Sequence, residues 1–338
     1  MKEQFLEKMM NSASDNAMIK LIMKDHFGRE ISYLRLSVTD RCNLRCRYCM
    51  PEEGICRKTH EEMLTEEEMI EAVTAASELG IRKVRITGGE PLVKKNILSI
   101  CRNISGVPGM EEVCLTTNGT LLAGMAESLR EAGVRRINLS LDTLQEDKFR
   151  QMTRGGELAD ALRGLNAALA AGFEKVKLNT VLIGGFNDDE IRDLAELTRE
   201  QDLDVRFIEL MPMLPESEYG KSAFVSAKTV PELIPEAQPM GRDGVADLWK
   251  FPGARGNIGL IRPMSCRFCA MCSRLRLTAD GKIRPCLHSA LEYEIKGLDR
   301  AAMKEKIREA IFAKPENYGN LSYAEPSGAG RSMNRIGG

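Results

Sequence analysis

The sequence has no excess of charge of either sign. Its 338 residues include 48 Lys and Arg against 49 Asp and Glu, which gives a formal net charge of −1. A protein that binds duplex nucleic acid through bulk charge is expected to be more basic. We therefore predict no nucleic-acid partner, and any bound anion must meet locally clustered Arg and Lys side chains.

Long apolar runs are also missing. No run approaches the roughly 18 apolar residues that a bilayer-spanning helix needs, which predicts no membrane partner. The first twenty residues mix charges into their apolar positions and lack a signal-peptide core. These absences predict a soluble, cytoplasmic protein, and the hydrophobic content of 43% argues against disorder.

Cysteine is too scarce for a disulfide scaffold, but its ten copies are grouped. Two groups of three stand out, the first triad (Cys42, Cys46 and Cys49) and the second triad (Cys269, Cys272 and Cys286). In a cytosolic chain such groups indicate metal or redox sites before disulfides. Three thiolates suit a [4Fe–4S] cluster with one open iron, and a zinc site that lacks its fourth ligand is the alternative.

Short β-branched runs alternate with helical patterns over residues 33–209. The pattern predicts six strands, at Leu34–Val38, Val84–Thr87, Glu112–Thr116, Arg136–Ser140, Val176–Val181 and Asp204–Ile208. It predicts helices at Thr65–Leu79, which opens on a capping box, and at Leu122–Ala132, Leu158–Ala171 and Asp188–Gln201. This alternation is typical of a parallel sheet, either an open doubly wound sheet or an incomplete βα barrel.

Polar motifs follow the predicted strands at their carboxyl ends. Thr87–Pro91 follows the second strand, Thr116–Gly119 the third and Ser140–Asp142 the fourth. Because βα architectures assemble their chemistry at that edge, we predict the functional site there. Residues 213–260 are rich in Pro and Gly with weak periodicity, which predicts a second, smaller module.

Two motifs carry a resemblance to a known superfamily. Residues 39–51, TDRCNLRCRYCMP, contain the first triad and resemble the signature of radical S-adenosylmethionine (SAM) enzymes. In that superfamily the open iron of the cluster binds SAM. Gly88-Gly89-Glu90-Pro91 resembles the second motif of the superfamily, which implies that Gly88, Gly89 and Glu90 bind the cofactor.

The C-terminal half makes the resemblance more specific. Phe268–Cys272, the pair Arg274 and Arg276, and the terminal Gly-Gly look like the GTP 3′,8-cyclase family of radical SAM enzymes. The resemblance implies an α/β fold, an incomplete (βα)6 TIM-like barrel with a C-terminal iron–sulfur module. The implied divisions are an N-terminal extension at 1–30, the barrel at 31–212, the second-cluster module at 213–325 and a Gly-Gly tail at 326–338.

The resemblance implies a lyase that converts GTP to 3′,8-cyclo-7,8-dihydro-GTP in molybdenum cofactor biosynthesis. The first cluster would pass one electron to SAM, and the resulting 5′-deoxyadenosyl radical would abstract hydrogen from ribose C3′ of GTP. The C3′ radical would then attack C8 of the guanine. A second [4Fe–4S] cluster, on the second triad, would hold the guanine through its open iron.

The resemblance also implies roles for individual residues. Substrate-binding positions are implied at Arg35, Lys83, Arg85, Lys177, Arg206, Arg274 and Arg276. Positions around SAM are implied at Tyr48, Met50, Thr116, Ser140, Asn179 and Met211. The metal ligands would be the two triads, Cys42, Cys46, Cys49, Cys269, Cys272 and Cys286. Charged groups inside a barrel need a partner, and a triphosphate supplies one for the basic set.

The last thirteen residues show no periodicity and are predicted to form an irregular tail. The resemblance implies that this tail enters the barrel, with Arg335, Gly337 and Gly338 as catalytic positions. Terminal glycines lack a Cβ, so their backbone can pass through a narrow channel and adopt a positive φ.

Cys266 is a departure, because it adds a fourth cysteine where the family uses three. As a ligand it would close the open iron and remove the guanine-binding role. Two other functions remain as alternatives. One is a radical SAM maturase of a peptide or tetrapyrrole with an auxiliary cluster, which has no need of the arginine pair. The other is a non-catalytic zinc or iron–sulfur module, against which the six βα units argue.

The implied activity needs partners besides GTP and SAM. We expect a flavodoxin-like or ferredoxin-like electron donor. A cyclic pyranopterin monophosphate synthase would act downstream in the pathway. A homodimer is compatible with the sequence.

Overall fold

Six parallel strands form the centre of the computed structural model, which describes residues 22–55, 58–213 and 219–337. They are β1 (Tyr33–Ser37), β2 (Lys83–Thr87), β3 (Glu112–Thr117), β4 (Arg136–Ser140), β5 (Lys175–Leu182) and β6 (Leu203–Glu209). Each strand pairs in parallel with the next one in the chain. The six predicted strands are confirmed, and none of their ends differs from the prediction by more than one residue.

Helices alternate with these strands. They are α1 (Glu66–Glu78), α2 (Ile97–Ser105), α3 (Ala126–Glu131), α4 (Glu146–Thr153), α5 (Leu158–Ala170) and α6 (Ile191–Glu200). The predicted capping box of α1 is confirmed, since Thr65 Oγ1 accepts from the Glu68 backbone N–H and the Glu68 carboxylate accepts from the Thr65 N–H. Helices α2 and α4 lie outside the predicted segments. No helix among the described residues is long and apolar enough to cross a membrane.

The C-terminal region extends the same sheet at both edges. It contributes β7 (Gln238–Asp243), β8 (Ala246–Lys250), β9 (Ile258–Ile261), β10 (Arg274–Leu277), β11 (Lys282–Arg284) and β12 (Tyr293–Glu294). Within the described residues the strand order is β12-β11-β10-β1-β2-β3-β4-β5-β6-β9-β8-β7, so the sheet is open and does not close into a full barrel. Three further helices accompany these strands, α7 (Thr229–Leu233), α8 (Arg300–Phe312) and α9 (Met333–Ile336).

The strand register determines which side chains share the inner face of the sheet. Arg35 on β1 pairs with Arg85 on β2 on one side and with Arg276 on β10 on the other. Side chains alternate along a strand, so Leu34 and Leu36 point to the opposite face, where both are buried in the core. The sheet therefore has an apolar face toward the helices and a basic, polar face toward the site.

The expectation of an irregular tail is wrong for its last residues. Met333–Ile336 form the short helix α9, and Ile336 is fully buried against Met213 and Ala329. A single helical turn is too short to leave a hydrophobic period in the sequence, which is why the pattern did not reveal it.

Candidate active site

A cavity lies on the inner face of the sheet and extends to the carboxyl ends of the parallel strands. All six cysteines of the two triads line it. Thirteen other predicted site residues share this wall, namely Arg35, Tyr48, Arg85, Gly88, Gly89, Glu90, Thr116, Ser140, Asn179, Arg206, Met211, Arg274 and Arg276. Five predicted residues do not line it, Met50, Lys83, Lys177, Arg335 and Gly337. Gly338 is outside the described residues.

The loop that carries the first triad leaves β1 and docks on the end of α4. The backbone N–H of Arg45 donates to the Thr153 carbonyl at 3.0 Å. Met50 is buried beneath the loop, and its N–H donates to the Cys46 carbonyl at 3.2 Å, so its role here is to shape the loop. Burial raises the pKa of the Cys49 thiol to about 12, so this thiol stays protonated at neutral pH until a metal displaces the proton.

The glycines of the second motif hold that loop against the end of β2. A Cβ on Gly88 would lie 2.5 Å from the Thr39 carbonyl oxygen, and one on Gly89 would lie 2.3 Å from the Arg41 carbonyl oxygen. The backbone N–H of Gly89 donates to the Thr39 carbonyl at 2.7 Å. The two glycines are therefore required where two backbones approach each other closely.

Glu90 lines the cavity, but its carboxylate already has donors from the chain. Its oxygens accept from the Thr117 hydroxyl and from the Asn118 backbone N–H, both at 2.7 Å, and from the Leu92 N–H at 3.1 Å. Burial raises the pKa of Glu90 to about 7. Glu90 therefore also joins the ends of β2 and β3.

Buried polar atoms without partners lie on β3, β4 and β5 of the cavity wall. Thr116 Oγ1, Asn138 Oδ1 and Asn179 Oδ1 are buried and have no hydrogen-bond partner within the described residues. Tyr48 donates its hydroxyl to the Asp142 carboxylate at 2.8 Å, which fixes the ring beside the thiols. Unsatisfied buried acceptors and a hydroxyl in this region fit a polar ligand such as SAM.

Arginines from β1, β2 and β10 line the same cavity wall. Arg35, Arg85, Arg274 and Arg276 form no salt bridge with any carboxylate among the described residues, and Arg35 and Arg276 donate to a backbone carbonyl. Burial, together with neighbouring arginines, lowers the pKa of Arg276 to about 10 and that of Arg35 well below its usual value. Arg276 is buried and the other three are half-buried, and four like charges with so few acceptors favour an anionic ligand.

Two of the predicted substrate lysines are paired with carboxylates. Lys83 donates to Glu112 at 2.7 Å, at the start of β2 and away from the cavity wall. Lys177 donates to Asp243, which also accepts from Arg206. Asp243 thus pairs with Arg206 on the cavity wall and with Lys177 behind it. The substrate role of Lys83 and Lys177 stays a prediction.

The second triad is assembled from three short segments. Cys269 begins a helical turn at Cys269–Met271, Cys272 precedes β10, and Cys286 follows β11. All three line the cavity, whereas Cys266 does not. This placement fits three cluster ligands. Because Cys266 does not line the cavity, its position gives no support for a ligand role.

The spacing of the thiols bears on the zinc alternative. Within the described residues, no group of three His, Cys, Asp or Glu side chains is close enough to hold a single metal ion. A cubane cluster differs from a zinc ion because each thiolate binds a different iron, so its cysteines stand further apart. Three thiols in each triad are the donor set that a [4Fe–4S] cluster with one open iron takes.

The tail reaches the row of arginines. The Gly337 carbonyl accepts from Arg35 Nε at 3.1 Å and from Arg276 Nη1 at 2.9 Å. Gly337 has a φ of 76°, and a Cβ there would lie 2.6 Å from Thr87 Oγ1, so only glycine fits. Arg335 lies in α9 and does not line the cavity.

Several residues on or near the wall were missed by the sequence reasoning. The ring of Tyr33 packs on two cations. Its centroid lies 5.6 Å from the guanidinium carbon of Arg85 and 6.0 Å from that of Arg274. His288 is held by Ser327 Oγ at 3.0 Å from its Nδ1. Tyr33 had a signal in its position on the first strand, two residues before Arg35, whereas His288 had none.

Matches to family profiles and to curated proteins agree with this geometry. Residues 36–198 match the Radical SAM superfamily and residues 203–320 match Molybdenum Cofactor Synthesis C. The chain is 47% identical over 321 residues to the GTP 3′,8-cyclase of Alkaliphilus oremlandii, covering 94% of this chain and 100% of the relative. It is 47% identical over 328 residues to the GTP 3′,8-cyclase of Moorella thermoacetica, with the same shares covered.

Solved structures support the fold. Streptococcus suis SuiB superposes with a TM-score of 0.58 at 14% identity, over 94% of this chain and 77% of that chain. Native anSMEcpe with bound AdoMet superposes with a TM-score of 0.50 at 15% identity, over 86% and 82%. At these identities the similarity supports the fold and does not bear on the activity.

The close approach of Gly89 generates the first testable prediction. Gly89→Ala should lower the iron bound by the first triad by at least half, because the added Cβ forces the loop away from β2. Gly124→Ala is the matched control, since a Cβ at Gly124 meets nothing within 4 Å. Iron content after anaerobic reconstitution measures the effect, and equal iron in both variants would contradict this role for Gly89.

Proposed function

The chain belongs to the GTP 3′,8-cyclase family of radical SAM enzymes, and we propose that its cavity binds GTP between two [4Fe–4S] clusters in molybdenum cofactor biosynthesis. A [4Fe–4S] cluster and SAM are cofactors of this superfamily. The observation that carries the proposal is that both triads and five arginines line one cavity. Full-length relatives at 47% identity favour the cyclase over the maturase and over the non-catalytic module.

The first triad holds one cluster, with SAM beside it. The chemistry that this cluster and SAM supply when bound is hydrogen abstraction from the ribose of GTP, which leads to the bond between C3′ and C8. The residues of the chain orient the reactants. Thr116 and Asn179 present unsatisfied polar atoms to SAM, and Asp142 fixes the ring of Tyr48.

The arginines bind the triphosphate. Arg35, Arg85 and Arg276 stand side by side on three adjacent strands, so that one polyanion can contact all three. Guanidinium groups bind phosphate oxygens through paired, charge-assisted hydrogen bonds. Since none of the three has a carboxylate salt bridge within the described residues, the substrate supplies the missing negative charge.

The second triad holds the second cluster and thereby the base. Three thiols leave one iron without a protein ligand, which is available to the guanine. Arg274 follows Cys272 by two residues and lies on the same wall. The base and the phosphates are thus held by neighbouring parts of β10, so that the ribose is directed toward SAM.

The tail closes the substrate site near the arginines. The Gly337 carbonyl accepts hydrogen bonds from Arg35 and Arg276, so the end of the tail lies beside the proposed phosphate site. Arg335 belongs to the same tail but lies in α9 and does not line the cavity, so its catalytic role stays a prediction. A flavodoxin-like or ferredoxin-like donor and the downstream synthase complete the proposed partners.

The number of clusters provides a direct test. Replacing Cys269, Cys272 and Cys286 together by Ala should remove about half of the iron, because only the first triad remains. SAM cleavage in the presence of reductant should continue, since the first triad is intact. Cys266→Ser is the matched control and should keep all the iron. If the triple variant kept as much iron as the parent, the second cluster would have to be abandoned.

The tail provides a second test. Deleting Gly337 and Gly338 should leave iron content, SAM cleavage and GTP binding nearly unchanged. Formation of the cyclised product should fall at least ~100-fold, the scale expected when a reacting geometry is misplaced. Product is measured from GTP under single-turnover conditions, with SAM cleavage as the internal control. Normal product formation by the truncated enzyme would exclude a catalytic role for the tail.

A further inference from the structure

Lys314 is a buried lysine two residues after the end of α8. The residue is only 4% exposed. The ammonium donates to the Arg274 carbonyl at 2.7 Å and to the Pro285 carbonyl at 2.8 Å. It also lies 3.9 Å from Cys272 Sγ. The sequence reasoning did not single out this residue, since it lies more than forty positions from Cys272 along the chain.

Among the buried cations of the described chain, Arg276 on the cavity wall also lacks a carboxylate partner, but others have one. Arg29 pairs with Asp25, Arg284 pairs with Glu292, and Arg206 pairs with Asp243. Lys314 forms no salt bridge with a carboxylate among the described residues; its acceptors are two neutral carbonyls and one sulfur. An ammonium buried without a counter-charge is costly, and Cys272, which is negative as a cluster ligand, is the contact that can supply that charge.

The two carbonyl contacts connect segments that carry ligands. Arg274 follows Cys272 by two residues, and Pro285 immediately precedes Cys286. One ammonium therefore fixes the backbone on both sides of the second triad. The neighbouring Arg29 donates to the Cys269 carbonyl at 2.9 Å, but Asp25 neutralises its charge. Lys314 supplies the positive charge and Arg29 supplies only hydrogen bonds.

We propose that Lys314 is a positioning residue of the second cluster, and that its charge raises the reduction potential of that cluster. This inference rests on the proposed second cluster. A positive charge beside a ligand sulfur stabilises the reduced state, which carries one more negative charge than the oxidised state. Lys314 does not line the cavity and so acts on the cluster rather than on the substrate.

The experiment isolates the second cluster in the full-length chain by replacing Cys42, Cys46 and Cys49 with Ala. In this background Lys314→Met removes the charge at similar side-chain length, and Lys314→Arg keeps it. Lys304→Met is the matched control, because Lys304 lies on α8 and pairs with Glu78 at 2.9 Å. Iron content and the midpoint potential from a redox titration followed by electron paramagnetic resonance are the readouts.

We expect Lys314→Met to keep the cluster and to lower its potential, while Lys314→Arg and Lys304→Met stay near the background value. Loss of the cluster in Lys314→Met with retention in Lys314→Arg would also support the proposal, because charge would then be needed for assembly. An intact cluster of unchanged potential in Lys314→Met would overturn it, as would cluster loss in both Lys314 variants. A background protein that binds no iron at all would overturn the proposed second cluster itself.

Discussion

The parallel pairing of β10 with β1 is the contact on which the rest of the site depends. It joins a strand from the C-terminal region to the first strand of the barrel and sets Arg276 beside Arg35. The same pairing brings the second triad onto a wall that the first triad already lines. A separate C-terminal domain would leave the two triads without a common cavity, so the extension of one sheet is what makes a shared substrate site.

Charge is the second constraint. The wall collects four arginines that have no carboxylate partner within the described residues, and desolvation together with mutual repulsion lowers the pKa of Arg276 and Arg35. Among the described residues, the acceptor for these two is the Gly337 carbonyl. A polyanion relieves this repulsion, which is the physical reason that the cavity suits a triphosphate. Lys314 shows the same principle at the second triad, where thiolates take the place of the polyanion.

The sequence predicts the parts of this molecule that depend on local pattern. All six central strands and the capping box of α1 follow from periodicity and short motifs. The first triad and the pair Arg274 and Arg276 point to the site because the members of each group lie close together in the sequence. Partners that meet only in the fold gave no such signal. Asp243 reaches Lys177 from β7 of the C-terminal region, and Lys314 reaches Cys272 from the end of α8.

The central claim is that the arginines on the cavity wall bind the phosphates of GTP. Equilibrium binding of GTP and of guanosine to the anaerobically reconstituted protein tests it most directly. Loss of a charge-assisted hydrogen bond costs about 1.5–3 kcal/mol, so the account predicts that GTP binds at least ~10-fold more tightly than guanosine. It also predicts that Arg85→Met reduces the ratio between the affinities for GTP and for guanosine. Equal affinities for GTP and guanosine in the parent protein would contradict the account.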